Sequence, residues 1–324
     1  MSVFLNLIRN HLILFLVLWV FPQRGSSQFQ PIQNQYILNP FFINPSFAGA
    51  VNGTRLGATY RTQWVEFPNA PNTQTIVYQT NKGNLGVGGW LYRDQNGLTG
   101  NSGFESSFSY HLRFNGSRDN LKNARILFGL GISGNQWTVR EDQFTPSTFD
   151  PLITGGNPSR FTPNVHAGFY FAHEPFYVGF SVRDLLPQGL DFATQSTYRI
   201  HLLSGFQIAV ASDFYVEPSF LIRLNAPGDW QFDVNTTVNV PISGKIALQS
   251  TFSLNREQLH RNNENLSVSN IFVLKLDAYH ISYRYIYPLS SIRSFTVGTH
   301  EWMVSYRFGK TKGIGVFCPT FSGY

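Results

Sequence analysis

The side chains that could do chemistry are few and scattered. Gly129-Leu130-Gly131-Ile132-Ser133-Gly134 matches the G-x-G-x-x-G pattern of dinucleotide-binding loops. That pattern works where a strand turns into a helix whose N-terminus faces phosphate. Here it falls inside an alternating run, and Asn135-Gln136-Trp137 opens no amphipathic helix. The glycines read better as relief for barrel curvature or for crowded lumen side chains. His166 and His173 lie seven residues apart, and His201, His260, His280 and His300 are isolated. None has metal-ligand spacing with Cys or carboxylates. Cys318 is the only cysteine, so no intrachain disulfide forms. The expectation is a non-enzyme with no catalytic, cofactor-binding or metal-binding residues.

What those residues sit on is a long series of period-two runs. The clearest sets Phe104, Ser106, Phe108, Tyr110, Leu112 and Phe114 against Glu105, Ser107, Ser109, His111 and Arg113. Another sets Phe232, Val234, Thr236, Val238 and Val240 against Gln231, Asp233, Asn235, Thr237 and Asn239. A strand separates such sets onto two faces and a helix mixes them. About 14 runs of this kind fall near 54–64, 73–81, 84–93, 103–114, 123–134, 164–173, 175–183, 198–210, 213–224, 230–240, 244–254, 266–276, 278–287 and 299–309. Most run roughly 9–13 residues, the length of a tilted membrane strand rather than the 5–6 or so of a soluble one. Connections after even-numbered runs are short, as in Asn81-Lys82-Gly83 and His173-Glu174-Pro175. Those near 135–163, 184–197 and 255–265 are longer. An even strand count with long loops on one side describes an all-β, antiparallel outer-membrane barrel with periplasmic termini.

The ends divide the chain further. Arg9 and His11 precede an apolar run from Leu12 to Phe21 that is too short to span a bilayer, and Gly25-Ser26-Ser27 offers small residues for cleavage. The expected organisation is a signal peptide over 1–27, an N-terminal Asn-Pro segment over 28–53, a barrel over 54–309 and a periplasmic tail over 310–324. Losing 1–27 removes Arg9 and Arg24 and lowers the formal net charge from +6 to about +4. With no basic run, that excess is no argument for nucleic acid. Asn39-Pro40 and Asn44-Pro45 flank aromatic and aliphatic residues. Each proline lacks a donor and restricts the residue before it. The segment is expected to be ordered, irregular and buried, either as a plug in the lumen or as a belt beneath the barrel.

Several of these stretches resemble one family. They are Gln35-Tyr36, Leu38-Asn39-Pro40, Ile43-Asn44-Pro45-Ser46-Phe47-Ala48-Gly49, Tyr60-Arg61-Thr62-Gln63-Trp64, Leu85-Gly86-Val87-Gly88-Gly89, Thr299-His300-Glu301, Ser305-Tyr306-Arg307-Phe308 and Cys318-Pro319-Thr320-Phe321. Together they are similar to the PorP/SprF outer-membrane proteins of the Bacteroidota type IX secretion and gliding system. The resemblance implies outer-membrane localisation and a role in export or surface attachment of cargo such as adhesins. It implies contact with membrane lipids, with the C-terminal domain of a secreted protein, and with periplasmic motor, ring or peptidoglycan-binding components. It also marks Asn39, Pro40, Asn44, Pro45, Ala48, Gly49, His300, Glu301, Tyr306 and Phe308 as motif residues. A second reading is a passive pore or small-solute transporter, served by lumen-facing Glu105, His111, Arg113, Arg199 and Asp233. A third is a soluble secreted β protein.

Overall fold

The structure is a computed structural model and describes residues 34–51, 53–114, 124–141, 156–186, 198–211, 214–225, 229–259 and 263–309. The expected signal peptide, the 310–324 tail, Cys318 and parts of the loops near 135–163 and 184–197 lie outside these residues.

The strands are β1 (Thr54–Thr62), β2 (Asn72–Lys82), β3 (Leu85–Asn96), β4 (Thr99–Arg113), β5 (Arg125–Val139), β6 (Ser159–His173), β7 (Phe176–Arg183), β8 (Arg199–Phe206), β9 (Ile208–Ala211), β10 (Phe214–Asn225), β11 (Asp229–Ser243), β12 (Ile246–Leu259), β13 (Asn263–Leu276), β14 (Tyr279–Pro288) and β15 (Thr299–Phe308). Each pairs antiparallel with its neighbours. The first and last also pair, Thr54 opposite Phe308 and Thr62 opposite His300, so the sheet closes on itself. β8 and β9 are two halves of one strand, broken at Gln207 and both bonded to β10. The result is a 14-stranded barrel. Closure leaves no unpaired edge, which is what lets a sheet sit in lipid. Among the described residues no helix is long and apolar enough to cross a membrane.

Alternation sets the two surfaces. On β4, Phe104, Phe108 and Tyr110 are exposed outward, while Glu105, Ser107, Ser109 and His111 are buried inward. On β15, Trp302, Val304, Tyr306 and Phe308 face out, and Glu301, Met303 and Ser305 face in. This inside-out arrangement suits an apolar solvent outside and a polar interior. The polar outward side chains of Ser250 and Asn270 answer each other at 3.2 Å.

Several strands run further than the alternation indicated. β3 reaches Asn96 and β4 starts at Thr99; β5 reaches Val139 and β6 starts at Ser159. β12 reaches Leu259 and β13 starts at Asn263, so the long loop expected near 255–265 is mostly a paired hairpin with a 260–262 connection. The cause is solvent. These extensions read Asp94-Gln95-Asn96, Asn135-Gln136-Trp137-Thr138 and Asn255-Arg256-Glu257-Gln258. Apart from Trp137 they are polar on both faces, so period two fades where no lipid enforces it. Thr54 and Phe308 mark the terminal end of the barrel, and the opposite end is the loop end. Two-residue turns 83–84, 174–175, 244–245 and 277–278 lie at the terminal end, whereas the strand ends Val139 and Ser159, Arg183 and Arg199, and the segment 289–298 lie at the loop end.

Candidate functional site: an occluded lumen

Residues 34–51 lie inside the barrel. They form three short 3-10 turns, Asn34–Ile37, Pro40–Phe42 and Pro45–Phe47. The two Asn-Pro pairs explain the last two. Each proline takes the first helical position, where no donor is needed and its fixed φ fits. The asparagine before it is the N-cap. The turns close through Ile43 N to Pro40 O and Ala48 N to Pro45 O, both 3.0 Å. The irregular segment expected from sequence is therefore a chain of single turns.

Each turn is fixed to the wall. The Asn44 side chain accepts from Ser46 N at 2.9 Å and donates to Phe169 O at 3.0 Å and Phe180 O at 3.2 Å, on β6 and β7. Asn39 Oδ1 accepts from Gln79 Nε2 at 2.8 Å. Ile43 O meets Ser181 Oγ at 2.7 Å and His201 Nδ1 at 3.0 Å. Ser109 Oγ donates to Ala48 O, and Asn81 Nδ2 donates to Gly49 O. Phe47 packs at a tilt on Tyr170 with ring centroids 4.5 Å apart, and Phe42 meets Trp90 edge-on at 5.9 Å. Tyr36 receives Asn235 Nδ2 at 3.0 Å and lies under the Arg223 guanidinium at 5.1 Å. Burial, reinforced by Asp233, pushes the Tyr36 phenol above its ordinary value.

Two glycines make the fit possible. Gly129 and Gly168 face each other across β5 and β6. A Cβ on Gly129 would collide with Pro45 and Ser46 N, and one on Gly168 with the Asn44 amide. The first glycine of the dinucleotide-like pattern thus lies against the Asn44-Pro45-Ser46 turn.

Closer to the loop end, charges fill the remaining lumen. Arg183 pairs with Glu105, and His166 Nε2 lies 3.7 Å from the same carboxylate. Arg199 Nε donates to Asp184 at 2.6 Å, and Arg223 Nη2 to Asp233 at 2.8 Å. Glu301 is buried on β15 directly opposite Arg61 of β1 and Arg284 of β14. Pairing of this kind is what buried charges require. Alternation placed Glu105, His111, Arg199 and Asp233 correctly in the lumen. It gave no sign that Arg183, His166 and Asp184 join them, because partners on different strands carry no common spacing.

The motif residues do not form one place. Asn39, Pro40, Asn44, Pro45, Ala48 and Gly49 are together in the lumen. Glu301 is in the lumen wall. His300 is on the outer face, bonded to Tyr283 Oη at 2.7 Å. Tyr306 and Phe308 are outward near the terminal end, Tyr306 packing on Tyr279 at 4.6 Å and on Phe308 at 5.7 Å. Sequence reading missed the wall residues that receive the turns, namely Gln79, Asn81, Ser109, Ser181 and His201. Their signal was faint: small polar inward positions on otherwise aromatic strands.

A closed, outward-apolar barrel with a polar, filled interior defines an outer-membrane protein. The sequence matches the family model described as "Type IX secretion system membrane protein PorP/SprF" over residues 25–306, and the chain belongs to that family. Among curated proteins none matches. Solved structures share the fold. A structure titled "CymD monoaromatic hydrocarbon channel" is 9% identical with a TM-score of 0.50, covering 88% of this chain and 95% of that one. The Ralstonia pickettii toluene transporter TbuX is 8% identical with a TM-score of 0.50, covering 88% and 96%. At such identities the likeness concerns architecture alone. The protein is thus an outer-membrane barrel component of type IX secretion.

Proposed function

We propose that this barrel is a non-catalytic adaptor that retains the C-terminal domain of a secreted type IX protein, such as an adhesin, at the cell surface. Residues 34–51 act as its permanent lumen plug and the chain termini face the periplasm, where motor, ring or peptidoglycan-binding components are reached. The observation that carries this reading is the filled lumen: the three turns and the ion pairs leave the barrel a scaffold rather than a conduit.

A docking platform is available at the loop end. Loops 63–71 and 289–298 are neighbours, joined by Val65 N to Gly298 O at 3.0 Å and Thr296 Oγ1 to Val65 O at 2.9 Å. They expose Phe67 at 48% and Phe295 at 68%. Large apolar side chains on a braced surface are the kind of anchors that dominate protein interfaces. The test is affinity purification of the tagged protein from mildly solubilised membranes of its host, followed by mass spectrometry. A secreted protein bearing a type IX C-terminal domain is expected, and its recovery should fall at least about tenfold in Phe67→Ala/Phe295→Ala, a loss of about 1.4 kcal/mol in binding. A barrel recovered without any such protein would sink the adaptor reading.

A further inference from the structure

At the loop end, β6 stands higher than the strand that follows it. Its ladder with β5 starts at Ser159, but its ladder with β7 starts only at Ala167, opposite Val182. Just above that level, Asp184 N, Leu185 N and Leu186 N donate in turn to His166 Nδ1 at 3.0 Å, Val165 O at 3.1 Å and Asn164 Oδ1 at 2.9 Å. Among the described residues the chain of β7 follows β6 no further. Successive residues of an antiparallel strand point their backbone groups to opposite sides. Pro158 O accepts from Val139 N on the β5 side, and Val165 O accepts on the β7 side. Even-numbered residues of β6 therefore bond β5, while Ser159, Phe161 and Pro163 turn their backbone groups away from it. The N–H and C=O of Ser159 and Phe161, and the C=O of Pro163, line an edge with no neighbouring strand among the described residues.

The edge has a defined limit and a defined character. Asn164 closes its membrane side, since its Oδ1 also accepts from Val165 N at 2.9 Å. Pro163 offers no donor, a common device against indiscriminate strand pairing. Beyond it, Phe161 is 58% exposed on the outer face, opposite Gln136 in the stretch of β5 that runs past the lipid. Leu185 and Leu186 are exposed beside the closed side. Backbone donors and acceptors at strand spacing, next to apolar side chains, match an extended chain. A lipid tail would bond none of them, and a helix has its own backbone groups already paired. We infer that this edge takes up an extended segment of the secreted protein's C-terminal domain as an added strand. The inference rests on the adaptor reading above and deepens it to the way the barrel holds its cargo.

The experiment uses the full mature barrel in membranes of its host, with the photocrosslinker benzoylphenylalanine in place of Phe161. Illumination should join it to a peptide from the C-terminal domain of a type IX cargo. Two variants then separate backbone from side chain. Phe161→Ala removes the ring alone, whereas Phe161→Pro also removes the N–H on the free side and leaves the β5 ladder intact. Cargo recovery should be about fivefold lower in Phe161→Pro than in Phe161→Ala, the effect of about one net hydrogen bond. Heat-modifiable mobility checks that each barrel is folded; should Phe161→Pro fail to fold, the crosslink alone decides. Absence of any type IX cargo from the wild-type protein would remove the adaptor reading and this inference with it. Cargo recovered equally from both folded variants, or a crosslink that reaches only lipid, residues 187–197 of the same chain or nothing, overturns the added strand and leaves the adaptor reading standing.

Discussion

Single side chains in this lumen have consequences out of proportion to their size, because each faces a partner that cannot find water. Asn44 shows it best. Its Oδ1 accepts from Ser46 N while its Nδ2 faces two wall carbonyls, Phe169 O and Phe180 O. Asn44→Ala removes a cap and leaves those carbonyls short of a donor, a loss of about 1–3 kcal/mol. Asn44→Asp is nearly isosteric yet should be worse, since it aims an anionic oxygen at two carbonyl oxygens. Urea unfolding in micelles followed by tryptophan fluorescence ranks the three proteins; Asp milder than Ala would refute the assigned bonding. The Glu105–Arg183 pair follows the same logic. Arg183→Met leaves a buried carboxylate beside neutral neighbours and should cost about 3–5 kcal/mol, whereas Glu105→Leu/Arg183→Met removes both charges and should recover most of it. A double variant as unstable as the single would mean that the pair is not what holds these strands.

At the scale of elements, the lumen segment and the β5–β6 hairpin are built for each other. Gly129→Val puts a branched side chain where Pro45 and Ser46 lie, so it should displace the segment without breaking the barrel, whose ladders involve backbone alone. In a Cys318→Ser background, Ala48→Cys and Ser109→Cys should form a disulfide spontaneously, and adding Gly129→Val should prevent it. A gel shift on reduction reads the bond, and heat-modifiable mobility checks that the barrel is folded. The same elements show what sequence makes legible. Strands such as β4 and β11 were readable because lipid outside and polar lumen inside impose opposite demands on successive residues. The two Asn-Pro pairs are readable as ordered and buried, but the expected non-helical backbone is instead a 3-10 turn after each asparagine, because proline suits the first helical position. Their packing is not, since Gly168, Ser181 and Gln79 gain meaning only from what touches them across 40 or more residues of chain. Strand ends beyond the membrane were lost for a simpler reason: with water on both faces, nothing forces Asn135 to differ from Gln136.

For the whole molecule, the decisive property is that the barrel is filled unevenly. The half nearer the loop end balances its charges, with Arg183, Arg199 and Arg223 each paired to an acid. The half nearer the termini is the more basic: Arg55, Lys275 and the directly opposed Arg113 and Arg125 line it with the buried acid Glu217, and Glu174 acts on Arg125. The intact protein in a planar bilayer should therefore give a closed trace, because the three turns block the path. Deleting residues 34–51 removes them while leaving every strand, and a barrel of 14 strands then has room for a channel. That channel should favour anions, since ions must pass the more basic half, and its reversal potential in a potassium chloride gradient should sit on the chloride side. Replacing Arg113 and Arg125 with Gln in the deletion variant should move it back toward zero. Steady current through the intact protein would return weight to the pore reading, and a cation-selective deletion variant would show that the terminal half is not the positive ring its side chains describe.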